Sequence, residues 1–150
     1  MNYVSNEAAA QAVVAEIEAL GVRSLAVRAN TAELPEVKDM FRTVVREMGG
    51  LDVLVNNAGV VDDRYLMMLT EDSLTRSLDI NINVYFHCAQ QAALKMFKKK
   101  SGVIVNISSV SSVLAIPGQS VYSATKGAVN ALTATLANEL SPYGQTHIHN

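Results

Sequence analysis

The chain has 150 residues, of which 49% are apolar and 17% charged, with a net charge of -2. That is enough apolar material for the core of one domain, and it excludes both wholesale disorder and the basic footprint of a nucleic-acid binder. A single cysteine, Cys88, excludes an internal disulfide framework, and with no long apolar run and no leader-like segment the chain is expected to be soluble and not membrane-spanning.

Helical and strand patterns alternate from the start. Ser5 is positioned to cap a helix with Ala9, Ala12, Val13, Ile17 and Leu20 on one stripe and Gly21 past its end, after which Ser24 to Val27 reads as a short buried strand. A second helix follows Pro35, with Val37, Met40, Phe41, Val44, Val45 and Met48 spaced by three and four before Gly49-Gly50. Leu51 to Val55 is the next strand. Its consecutive apolar residues suit a parallel strand sandwiched between helices.

Thr70, followed by Glu71 and Asp72, marks a helix start, and helical character resumes from Leu78 through Lys99. Lys98-Lys99-Lys100 reads as a solvated helix end. Gly102 to Ile107 is a third clear strand, followed by the polar loop Ser108 to Ser112, the turn Pro117-Gly118 and a long helix from Ser120 to Leu140. Crossover helices between these strands predict an α/β fold with a doubly wound parallel sheet, which binds ligands at the carboxyl ends of its strands.

Polar residues fall at those ends: Asn56 and Asn57 after one strand, Ser108 and Ser109 after another. Either pair alone also suits a turn or a cap. Downstream, Tyr122 and Lys126 lie four positions apart on a predicted helix and so share a face. A phenol ionises near pH 10 in water, so an enzyme using one as acid or base near neutrality needs a cation beside it.

Asn56-Asn57-Ala58-Gly59, Asp79-Ile80-Asn81, Asn106-Ile107-Ser108-Ser109 and Tyr122-Ser123-Ala124-Thr125-Lys126-Gly127 together resemble the short-chain dehydrogenase/reductase family. Within it the chain is similar to the 3-oxoacyl-acyl-carrier-protein reductases of fatty acid biosynthesis, through Asn2 to Glu7 and Leu66-Met67-Met68. The resemblance implies a cytoplasmic, Rossmann-like oxidoreductase that reduces a carbonyl, such as a 3-oxoacyl thioester, to an alcohol. Tyr122 would be the general acid, and Lys126 would ease its ionisation and hold the nicotinamide ribose. Ser109 would donate a hydrogen bond to the substrate carbonyl, and Asn81 would hold a water that links the lysine to solvent. Asn57, Ala58 and Gly59 would line the cofactor, with Asn30 and Thr31 on its adenine side. No acidic residue precedes Glu7 in the segment resembling the family's second strand, which favours NADP, with NAD the alternative.

None of the eight glycines forms the family's glycine-rich turn between its first strand and helix, and the family's C-terminal strands have no counterpart. The expectation is therefore one partial domain over residues 1–150, truncated at both ends relative to the family. The tail Gln145 to Asn150 departs from the family's apolar strand and is read as irregular. A homo-oligomer is implied, with Ala128, Val129, Ala131, Leu132 and Leu136 serving either that contact or the chain's own sheet. His147 and His149 lack ligating companions, so no metal is expected; Asp62 and Asp63 beside Arg64 read as a solvated loop. A second functional reading keeps the same residues in a noncatalytic fragment or interaction subunit that cannot hold the dinucleotide alone.

Overall fold

Side-chain caps and apolar spacing set the helices of the computed structural model, which describes residues 1–143 and 148–149 in two compact units, Met1–Gly50 and Leu51–Asn150. In the first unit, β1 (Asn2–Tyr3) pairs in parallel with β2 (Val27–Arg28), Asn2 opposite Val27. Backbone bonds from Val27 N to the Met1 carbonyl and from Ala29 N to the Tyr3 carbonyl close this short ladder at 2.8 and 3.0 Å. The strand lies later than the Ser24 to Val27 expected.

Helix α1 (Glu7–Ala19) is capped by Asn6, whose Oδ1 accepts from Ala9 N at 3.0 Å, rather than by Ser5. Its inward stripe is Ala10, Val14 and Ile17, while Ala9, Ala12, Val13 and Leu20 of the expected stripe are exposed. Helix α2 (Leu34–Met48) buries Val37, Met40 and Phe41 at the expected spacing, with Met48 exposed at its end. Gly49 stops it with a left-handed φ of 86°, a conformation that a side chain disfavours.

The second unit holds a parallel sheet in the order β3-β4-β5, formed by Val53–Asn56, Val103–Asn106 and Ile148–His149. Ile148 and His149 pair with Ile104 and Val105, so this part of the tail is a strand; Gln145 to His147 and Asn150 lie outside the described residues. Val53 and Val55 on β3 are 52% and 55% exposed, so the expected sandwich covers only the face carrying Leu54 and Asn56. The parallel pairing with helical crossovers is the α/β, Rossmann-like architecture.

Both β3 and β4 end in asparagine, and the two are in register. Asn56 Nδ2 donates to Asn106 Oδ1 at 2.9 Å, and Asn106 Nδ2 donates to Thr133 Oγ1 at 3.0 Å. All three are buried, so this chain ties the two strand ends to helix α5 (Ser120–Leu140) with satisfied polar groups.

Helix α3 (Glu71–Leu78) starts at the expected Thr70 cap. A five-residue π turn, Asp79–Asn83, then joins it to α4 (Val84–Met96). Val129 on α5 is buried within the chain, which removes it from any oligomer face. The loop after Gly59 is largely exposed, as expected, and is also tied down by hydrogen bonds. Asp62 accepts from Arg64 Nε at 2.8 Å and Ser73 Oγ at 2.6 Å, and Asp63 accepts from Gln119 Nε2 at 3.1 Å. Those donors hold the Asp62 carboxyl below its ordinary pKa, the Ser73 hydrogen bond foremost.

Candidate active site

Helix α5 carries Tyr122 and Lys126 one turn apart, and the lysine turns inward, with 3% of its surface exposed. Burying an ammonium is costly unless hydrogen bonds replace its water. Lys126 Nζ donates to the Ile107 carbonyl at 2.7 Å and to Tyr85 Oη at 3.0 Å. The same nitrogen lies 5.2 Å from the Tyr85 ring centroid and 5.8 Å from that of Tyr122. Tyr122 and Lys126 therefore meet as the sequence expects, with a second tyrosine beside them.

Loss of hydration holds the Lys126 ammonium below its ordinary pKa of 10.5. Burial, and secondarily the neighbouring Tyr122, push the Tyr85 phenol up to about 12. Tyr85 is fully buried on α4 and donates its own proton to the Ile107 carbonyl at 2.9 Å. That carbonyl, just past the end of β4, thus receives two donors. An ammonium has three N–H groups, and the third of Lys126 has no protein partner among the described residues.

Asn81 sits in the π turn and is fully buried, not solvent-facing. Its Oδ1 accepts from Val60 N at 2.8 Å and its Nδ2 donates to the Val60 carbonyl at 2.9 Å. Both ends of the side chain are spent on clamping the turn after Gly59. A Cβ placed on Gly59 would lie 3.3 Å from Asn81 Oδ1 and 3.7 Å from Lys126 Nζ, so glycine keeps this corner open. Asn57, Ala58 and Gly59 are all exposed. Asn30 and Thr31 belong to the first unit, where Asn30 Oδ1 accepts from Ala32 N at 3.2 Å and Thr31 is buried.

The two serines after β4 have separate tasks. Ser108 Oγ donates to the Lys126 backbone carbonyl at 3.2 Å, which joins the strand end to α5. Ser109 Oγ is half-exposed and contacts Ser111 Oγ at 3.2 Å. Ser111 donates to Gln119 Oε1 at 2.7 Å, and Gln119 donates onward to Asp63. This chain connects Ser109 to the residue that starts the helix bearing Tyr122. An open depression of about 370 Å³ lies alongside, lined by Ile107, Ser108, Ser109, Val110, Ser112 and Asn130, and it includes neither Tyr122 nor Lys126.

Tyr85, Ser111 and Gln119 were not singled out from the sequence. Tyr85 falls among Val84, Cys88, Ala89 and Ala92, where an aromatic residue reads as core. Only the tertiary approach of α5 and of the end of β4 gives its hydroxyl partners.

The short chain dehydrogenase family model matches residues 1–149. The chain is 44% identical over 146 residues to the 3-oxoacyl-[acyl-carrier-protein] reductase FabG of Staphylococcus aureus strain Mu50, covering 97% of this chain and 59% of that protein. It thus spans 59% of the length of a curated relative that it matches. A short chain dehydrogenase from Burkholderia cenocepacia, solved in complex with NADP, superposes with a TM-score of 0.90 at 36% identity, over 99% of this chain and 61% of the other. A 7α-hydroxysteroid dehydrogenase complexed with NADH and a 7-oxo bile acid gives 0.93 at 26% identity, over 99% and 57% of the two chains.

Proposed function

The chain belongs to the short chain dehydrogenase family, and from that premise we propose that it carries the proton-donating side of an NADP-dependent carbonyl reductase whose substrate is a 3-oxoacyl thioester. When bound, NADPH would supply the hydride for the carbonyl carbon. Tyr122 gives its phenolic proton to the carbonyl oxygen, and Ser109 donates a hydrogen bond to that oxygen while charge develops there. Lys126 supports negative charge on the phenolic oxygen, and its third N–H is available to the nicotinamide ribose.

The open corner at Gly59 fits a ligand that must approach the backbone closely, and Asn81 fixes that corner through Val60. Asn57 and Ala58 line the same stretch. On the family pattern, Asn30 and Thr31 contact the adenine side. The choice of NADP rests on the missing acidic residue before Glu7 and on the NADP complex of the B. cenocepacia relative; the NADH complex of the steroid dehydrogenase keeps NAD as the alternative. Exposed Phe86, Leu94 and Phe97 along one stretch provide an apolar face for the proposed homo-oligomer.

One observation carries the reading: a buried ammonium fixed by two acceptors, with one donor left over, beside the Tyr122 ring. Reduction of a 3-oxoacyl thioester, followed by NADPH absorbance in protein that is active before substitution, tests it. Tyr122→Phe is expected to lose about 10²–10⁴-fold in kcat. Full activity in that variant would refute the assignment.

A further inference from the structure

A phenylalanine would fill the space of Tyr85 among Val84, Cys88, Ala89 and Ala92 equally well, so the buried hydroxyl needs its own explanation. An unbonded hydroxyl here would destabilise the fold; this one is bonded twice, as donor to the Ile107 carbonyl at 2.9 Å and as acceptor from Lys126 Nζ at 3.0 Å. With Lys126 also bonded to Ile107 at 2.7 Å, the three groups close a triangle around one carbonyl.

We propose that Tyr85 is a positioning residue for Lys126: its hydroxyl oxygen and the Ile107 carbonyl hold the ammonium charged and fixed, reserving its third N–H for a ligand. The orientation follows from the chemistry of the two donors. Nζ has no lone pair to accept with, so the phenol must give its proton to Ile107 and offer its oxygen to the lysine. Tyr85 has no surface exposed and its proton faces a carbonyl, so it holds the ammonium and does not pass protons to water. Burial raises the pKa of the phenol, which keeps that donor intact well above neutrality. The titratable groups facing Nζ are Tyr85 from α4 and Tyr122 from its own helix, with the neutral Asn81 and the Ile107 carbonyl completing the surround. Only the use of the third N–H rests on the reductase reading.

Tyr85→Phe keeps the ring and removes only the hydroxyl. In the full chain labelled with ¹⁵N-lysine, without dinucleotide or substrate, the Lys126 Nζ resonance is identified by its loss in Lys126→Met. Removing an acceptor from a charged donor is expected to lower the Lys126 titration midpoint by about one pH unit or more in Tyr85→Phe. A midpoint that does not move overturns the proposal. Should the variant fail to fold, the unsubstituted lysine site is read from the other side. With 3-fluorotyrosine incorporated and the other tyrosines replaced by phenylalanine, the Tyr85 fluorine signal is expected to shift at the Lys126 midpoint, and a flat profile through that midpoint overturns the proposal equally. Both measurements omit the cofactor, so failure of NADPH to bind would sink the reductase reading while leaving this inference standing. Normal binding with an unmoved midpoint would do the reverse.

Discussion

The site has a closed side and an open side. Around the lysine, Asn81 and Tyr85 are fully buried and Lys126 is 3% exposed. Around the serine, Ser109 is half-exposed and its neighbours Val110 and Val113 are 67% and 78% exposed. The fixed charge is thus kept where water screens it least, and the hydroxyl proposed to meet a substrate stays accessible. Coulomb support for a developing phenolate is strongest when the cation is dry and cannot wander. A hydrogen-bond donor to an incoming carbonyl must first be reachable.

Substitutions on each side sharpen that contrast. Lys126→Met removes the dry cation, and its effect is expected to be the largest after Tyr122→Phe, about 10²-fold or more in kcat by analogy with loss of a preorganised electrostatic contact. Ser109→Ala acts on the open side, where water can substitute for the hydroxyl. Its loss in kcat is expected at or below the lower end of the roughly 10²–10³-fold range for such donors. An equal or greater loss in the serine variant would invert the contrast. Steady-state kinetics on both variants decides the order.

Stability follows the same division. Asn106→Leu strands the Asn56 amide in the core, while the Thr133 hydroxyl keeps its donation to the Val129 carbonyl, and is expected to cost about 1–3 kcal/mol in urea unfolding. Ser112→Ala, on the open side, loses a donation to the Ser109 carbonyl and a contact from the Asn130 amide, groups nearer to water than the Asn106 pair, and should cost less.

Stability should also depend on pH. Burial pushes the Cys88 thiol from 9.0 up to about 11 and the Tyr85 phenol from 10.0 up to about 12. Both folded pKa values are raised, so this contribution is fully present below pH 9 and lost as pH rises through 11 and 12. Lys126 is shifted the other way. Burial lowers its pKa relative to the unfolded chain, so the cost of burying the ammonium is relieved as pH rises toward 10.5. Unfolding midpoints across this range should fall more gently for Cys88→Ala between pH 9 and 11, and for Tyr85→Phe between pH 10 and 12.

Local signals made much of this legible. Thr70 with its acidic followers marked the start of α3, and the apolar spacing of Val37, Met40 and Phe41 marked the buried face of α2. Helix α5 lies over the expected residues because its pattern is long and Pro142 follows its end. What escaped detection depends on tertiary partners. The π turn at Asp79–Asn83 accompanies the pairing of the Asn81 side chain with Val60, 21 positions away, which no helical window records. Tyr85 looked like core until Lys126 approached from α5. The bond from Ser73 to Asp62 is invisible locally because Ser73 lies on another element. The α1 stripe was misread because Asn6, one position past Ser5, is the cap, and the inward face runs through Ala10 instead of Ala9.

The central claim is that the third N–H of Lys126 serves a nicotinamide dinucleotide. Calorimetric titration of the chain with NADPH tests it most directly, run in parallel on Lys126→Met. Saturable binding that weakens about tenfold or more in the variant is the predicted result, matching the loss of a charge-assisted hydrogen bond. No binding by the unsubstituted chain, or equal affinity in the two, would contradict the account.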